Sequence, residues 1–167
     1  MSIFDKVAGV FGSRETHDES QNLDKWLETT LKSELKLDKI ERDDDGDIPV
    51  VWGSAVVFVR AIDVDDELPL IRVFAPLLED FTITPEVYEA VNTINCQTPF
   101  AKATVDPEIQ QILLAADIFV FDQLSPDQLM ATIELVGDNA DHLDTMLKQR
   151  FGGTTMLDDD ATDEFDV

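Results

Sequence analysis

Apolar residues recur along this chain at two different periods, and each change of period marks a new element. Between Asn22 and Lys36, Leu23, Trp26, Leu27, Leu31 and Leu35 share one stripe with charges opposite, which is the spacing of an amphipathic helix. From Leu37 to Leu78 the pattern becomes extended. Three or four antiparallel strands fit its runs, KLDKIERD, IPVVWGSAVVFVRAIDV and LPLIRVFAPLL, with acidic or glycine-containing turns between them. Asp45-Gly46 reads as a hairpin turn, and Asp63 to Glu67 as a second one. Ala55 to Val59 is apolar on both faces, as expected of a central strand, and Arg60 and Arg72 restore polarity near the strand ends. Thr84-Pro85 is a cap followed by proline at the first helical position. It predicts a helix to about Cys96 with Val87, Tyr88, Val91, Ile94 and Asn95 on its stripe. Strands over 100–105 and 109–121 flank the turn Asp106-Pro107-Glu108. Ser125-Pro126 then opens the longest helix, which Gly152-Gly153 ends.

The fold class predicted is α+β: an antiparallel sheet of about five strands with helices packed on it, in the order α-βββ-α-ββ-α. Residues 1–13 add a short amphipathic helix, because Ile3, Phe4, Val7, Val10 and Phe11 fall on one face. The organisation expected is an N-terminal segment and linker over 1–21, one domain over 22–153, and a disordered acidic tail over 154–167.

Charge narrows the possible partners. The chain has 36 acidic against 12 basic residues, a formal net charge of −24. Residues 22–157 alone hold 26 acids and 10 bases, so the acidity belongs to the domain as well as the tail. Nucleic acid needs cations to displace its counterions, and an anionic membrane surface needs them too, so both are excluded as partners. No apolar run approaches the roughly 18 residues of a membrane span, and the N-terminal stretch lacks the basic start and long apolar core of a signal peptide. With a single cysteine, Cys96, and hence no internal disulfide, a cytoplasmic protein is expected.

Each candidate for chemistry fails for its own reason. His17 and His142 are the two histidines, and neither has a nucleophile or metal-ligand spacing around it. Cys96 has no basic neighbour in sequence to hold a thiolate and is expected to be a buried thiol. Glu41 to Ile48 resembles the start of a calcium loop, with Gly46 at the sixth position, but the twelfth is Trp52 where a bidentate Glu is required. An acidic turn accounts for it better. Glycine-rich phosphate loops and nucleophile elbows have no match in the chain. The expectation is therefore no catalytic residue, no cofactor and no metal site.

The segment Asn92-Thr93-Ile94-Asn95, then Thr98-Pro99-Phe100-Ala101-Lys102-Ala103, a two-strand hairpin and a capped last helix ending in Arg150-Phe151-Gly152-Gly153 resembles the YbjN-type proteins, which in turn resemble the type III secretion chaperones in fold. The resemblance spans about residues 22–153. It implies helices on a twisted antiparallel sheet, often as a homodimer, that bind segments of other proteins. On that basis the chain is expected to be a chaperone-like or adaptor protein whose client is an apolar segment with neutral or basic flanks. A structural or regulatory homodimer, or a calcium-dependent sensor, stands as the alternative. The residues expected to meet a partner are Phe4, Val7 and Phe11 on the N-terminal stripe, Asn92, Asn95 and Phe100 at the helix-to-strand junction, and Phe165 in the tail. For the junction residues a purely structural role weighs against partner contact, since such positions usually hold geometry.

Overall fold

The computed structural model describes residues 19–64, 68–121 and 123–158. The helix expected over residues 1–13 lies outside them, as do residues 159–167. Among the described residues are three helices and five strands. They run α1 (Glu19–Glu34), β1 (Ile48–Trp52), β2 (Ala55–Val64), β3 (Leu68–Leu78), α2 (Pro85–Gln97), β4 (Lys102–Asp106), β5 (Gln111–Phe119) and α3 (Pro126–Phe151). This is the predicted order, and the strands form one antiparallel sheet arranged β1-β2-β3-β5-β4.

Register places one row of apolar residues after another on a single face. Ile48 opposes Val59, Val59 opposes Val73, and Val73 opposes Ala116, all buried. The helices supply the facing layer: Leu27 and Leu31 of α1, Val87 and Ile94 of α2, and Leu129, Ile133 and Leu147 of α3 join the inward strand residues in one cluster. On α3, Leu129, Ile133, Val136, Ala140, Leu143 and Leu147 are buried, whereas Met146 is exposed. Ser125 and Gln128 close a capping box at its start, each side chain bonding the other's backbone N–H at 3.2 Å.

Two turns differ from expectation. Asp45-Gly46 makes no hairpin. Asp43 Oδ1 instead accepts the backbone N–H groups of Asp45 and Asp47, giving an Asx-type turn that feeds β1. The segment KLDKIERD before it carries no strand. The β1–β2 hairpin turns at Gly53-Ser54, where Gly53 has a φ of +59°.

That hairpin tip is seated on α3. Trp52 lies over Gly137, and a Cβ added there would sit 2.5 Å from the indole Cγ. The indole N–H donates to Asp138 Oδ1 at 2.8 Å, and the Ser54 hydroxyl, with one proton to give, lies 2.8 Å from Asp141 Oδ1 and 2.9 Å from Asp144 Oδ2. Gly137 is therefore fixed by close approach, in mid-helix, where glycine otherwise costs about 1 kcal/mol relative to alanine.

The middle strand β3 accommodates Pro76 at a bulge, the one kind of interior site where a missing N–H is tolerated, and the shift buries both Leu77 and Leu78. Beyond α3 the chain remains attached. Gly152 and Gly153 have φ of +72° and +85°, and Thr154 exchanges two backbone hydrogen bonds with Glu79 at 2.9 Å. Thr155 and the Lys148 ammonium then hold the Asp158 carboxylate. Thr154 to Asp158, expected in a disordered tail, are thus anchored on the domain, because backbone pairing and an ion pair satisfy them there.

Two outcomes follow from this packing. Gly137→Ala gains helix propensity but forces the indole aside, and a net loss of roughly 1–2 kcal/mol is expected in chemical denaturation, with a changed Trp fluorescence. Asp158 is held down to about 2, first by Lys148 and then by Thr155. Since this folded value lies below the ordinary 3.8, the anchor's contribution is present above about pH 4 and lost as pH falls toward 2. An NMR titration of the Thr155 amide should have its midpoint near 2, moving up toward the ordinary carboxylate value in Lys148→Met.

Candidate functional site

Strand side chains alternate between faces, so the residues lying between core positions make up a second, outer face. All three described helices pack on the inner one, and the outer face carries no helix of its own among the described residues. It is nonetheless apolar over much of its area. One row across the strands is Pro49, Phe58, Phe74 and Ala115, and another is Ile62, Leu70 and Phe119. Phe58 and Phe74 stack with ring centroids 5.4 Å apart and are half-buried, Val56 and Leu70 are buried, Val51 is 69% exposed and Phe119 is 44% exposed.

Between these two apolar rows runs a charged one. Arg60 of β2 lies directly opposite Arg72 of β3, and Arg72 opposite Asp117 of β5, while Asp47 stands just before β1 beside Arg60. Arg60 Nη2 donates to Asp47 Oδ2 at 2.5 Å, and its guanidinium lies over the Phe74 ring, 5.1 Å from the centroid. Arg72 grips Asp117 with two bonds, from Nε at 2.7 Å and Nη2 at 2.8 Å. The row thus reads acid, base, base, acid. Burial pushes the Asp47 carboxyl up, and the neighbouring Arg60 only partly offsets it. The Nε of Arg60 is buried without a hydrogen-bond partner.

The sequence reading missed this face because it took Arg60 and Arg72 for strand-end polarity. They are mid-strand and in register. The signal was present as alternation: Val56, Phe58, Arg60 and Ile62 share one parity in β2, and Leu70, Arg72, Phe74 and Pro76 share it in β3. A strand apolar on both faces has two surfaces to cover, and the described helices cover one.

The junction residues separate in the structure. The Asn95 side chain clamps β4 to α2, since its Nδ2 donates to Ala103 O at 2.9 Å and its Oδ1 accepts from Ala103 N at 2.7 Å. Asn92 is exposed on α2. Phe100 is 89% exposed with a φ of +62° and precedes β4, which begins at Lys102 and not at residue 100 as expected. The small residues Ala101 and Ala103 are the buried ones beside α2. Tyr88, placed on the buried stripe of α2, is likewise 49% exposed. Phe4, Val7, Phe11 and Phe165 lie outside the described residues.

Cys96 is exposed, where burial was expected, because its position on α2 faces away from Val87, Val91 and Ile94. His142 is exposed on α3. Among the described residues no group of three or more His, Cys, Asp or Glu side chains is placed to hold a metal ion, and no helix is long and apolar enough to cross a membrane.

The model of a family described as T3SS (YopN, CesT) and YbjN peptide-binding chaperone 1 matches residues 21–159. No curated protein matches the chain in sequence. Among solved structures, the fold recurs in the ExsC-ExsE complex, with a TM-score of 0.58 and 14% identity over 77% of this chain and 95% of the other. It recurs in the Yersinia pestis type III secretion chaperone SycH, solved with a stable fragment of YscM2, at a TM-score of 0.50 and 22% identity over 71% and 97%. YbjN from E. coli aligns at 0.53 and 13% identity over 77% and 94%. At such identities the likeness is one of fold.

Asn95→Ala tests the clamp. It leaves the Ala103 N–H and C=O unpaired beneath α2, and a loss of about 1–3 kcal/mol is expected by thermal or urea denaturation. Asn92→Ala, on the exposed side of the same helix, should leave stability within about 0.5 kcal/mol of the parent.

Proposed function

This chain belongs to the family of T3SS (YopN, CesT) and YbjN peptide-binding chaperones, and we propose from that premise that it is a non-enzymatic module holding a segment of a partner protein against the outer face of its sheet. The observation that carries this reading is the face itself: two apolar rows with stacked Phe58 and Phe74 and no described helix upon them. The face is half-buried at Phe58, Ile62 and Phe74 and open at Val51 and Phe119; apolar area left partly open and rimmed by polar groups is a mark of interaction surfaces.

The structures that share the fold are consistent with such a use. The ExsC-ExsE and HopA1-SchA structures are complexes, the second of a chaperone with an effector, and SycH was solved with a fragment of YscM2. The net charge of −24 favours client segments whose apolar residues have neutral or basic flanks. We assign Phe4, Val7, Phe11 and Phe165 a supporting part, as apolar residues of the terminal segments available to extend a client contact. Asn92 and Phe100 offer a second, smaller contact at the junction, whereas Asn95 is committed to Ala103. A homodimer would compete for the same apolar area.

The test is direct binding with a panel of amphipathic, lysine-flanked peptides, read by fluorescence anisotropy. The parent protein is expected to retain a subset with micromolar Kd. Phe58→Ser with Phe74→Ser should weaken those peptides at least about tenfold, the scale of losing two aromatic contacts, in a variant whose retained fold is checked by circular dichroism. Unchanged binding by the double variant would place the site elsewhere. Sedimentation of the parent at micromolar concentration as a dimer, dispersed to monomers by the same substitutions, would assign the face to self-association.

A further inference from the structure

The charged row offers more than solubility, given the reading of the outer face as the client surface, on which the following rests. Like charges directly opposite on neighbouring strands destabilise a sheet, because their Cβ atoms lie only about 5 Å apart. Arg60 and Arg72 are such a pair, and they sit between two apolar rows. Solubility alone would be met by two lysines at the sheet edge. The acids beside them do not remove the repulsion. Asp47 and Asp117 lie at the outer ends of the row, each holding one guanidinium, and no acid of the row stands between the two opposed arginines. A guanidinium has five N–H donors. Among the described residues Arg60 uses only Nη2 and Arg72 only Nε and Nη2, and the buried Nε of Arg60 has no acceptor at all.

We propose that the Arg60–Arg72 pair is the specificity element of the outer face and selects a helical partner segment that carries one carboxylate between two large apolar side chains. An anion placed over the pair turns the repulsive contact into two charge-assisted hydrogen bonds, and a small turn of the Arg60 guanidinium gives its orphaned N–H an acceptor. The spacing agrees. Adjacent rows are two residues apart along each strand, about 6.6 Å, and side chains four apart on a helix are about 6 Å apart. A helix laid along the strands thus sets an apolar residue, an acid and an apolar residue on the three rows. A helix is the suitable occupant because its backbone needs no partners from the sheet face.

The occupant is a separate protein. Neither terminal segment outside the described residues has the pattern: the stripe of residues 1–13 has Val7 at its centre, and the only large apolar residues after Asp158 are Phe165 and Val167. The central acid does not conflict with basic flanks, since charges more than about 8 Å apart are largely screened at physiological salt while contacting ones are not.

The test uses the full chain and two alanine-based helical peptides with lysines at both ends and leucines four positions before and after a central residue. That central residue is glutamate in one and lysine in the other. The glutamate peptide is expected to bind about tenfold more tightly, the factor that one charge-assisted hydrogen bond supplies. Arg72→Gln should reduce the preference below about threefold, and Arg60→Gln with Asp47→Asn, which removes both members of the ion pair so that the buried Asp47 carboxylate is not left without its partner, should do the same. Equal affinity of the two peptides, lost on Phe58→Ser with Phe74→Ser, would overturn the specificity and leave the client surface standing. Failure of either peptide to bind, or binding indifferent to the Phe substitutions, would remove the client surface itself. Binding that appears only after deletion of 1–18 or 159–167, or only with dissociation of a dimer, would give the face to the chain's own terminus or to a second copy and overturn the proposal.

Discussion

Every feature of this protein depends on the two-residue pleat of a correctly registered sheet. Five strands pair so that Ile48, Val59, Val73 and Ala116 fall in one line toward the helices, and the neighbouring positions Asp47, Arg60, Arg72 and Asp117 fall in another line away from them. A slip of one residue in β2 or β3 would turn Arg60 or Arg72 toward the helices and present valines to water. Burial of the valines and the cost of a buried guanidinium therefore act together to fix the register. The outer face inherits that precision.

The register is secured at the edge by the interlock of Trp52, Gly53 and Ser54 with α3. An edge strand is held from one side only and can shift, and β1 is such a strand. The indole over Gly137, its bond to Asp138 and the Ser54 bonds to Asp141 and Asp144 fasten the hairpin tip to the longest helix. The other end of that helix is fastened by the Thr154–Glu79 bridge to the end of β3. The helix layer and the sheet are thus tied at two separated points, and the outer face is left free of that duty.

The element order was legible because it rests on local signals: the Ser125-Pro126 and Thr84-Pro85 caps, and the change of apolar period after Lys36. The turns were less so, since Asp45-Gly46 suits a hairpin and an Asx turn equally, and only the pairing of Trp52 with Ala55 decides between them. Cys96 and Phe100 were misplaced because helix phase and strand parity near a junction depend on which residue goes inward. The small Ala101 and Ala103, clamped by Asn95, make that choice. The charged row was not legible at all as a row. Its four members are spread over seventy residues of sequence, and long-range register brings them together.

The arrangement of that row also separates two stages of recognition. With two acids at its ends and two bases between, it has no net charge, so its field dies away within a few ångströms, whereas the excess of 24 negative charges on the whole chain reaches as far as the salt allows. On the proposed binding mode, a partner's overall charge would govern how often it arrives, and the residue it sets over the arginines how long it remains. Affinity and encounter rate are then adjustable by different residues of the same client, and changes of ionic strength act mainly on the first of these stages.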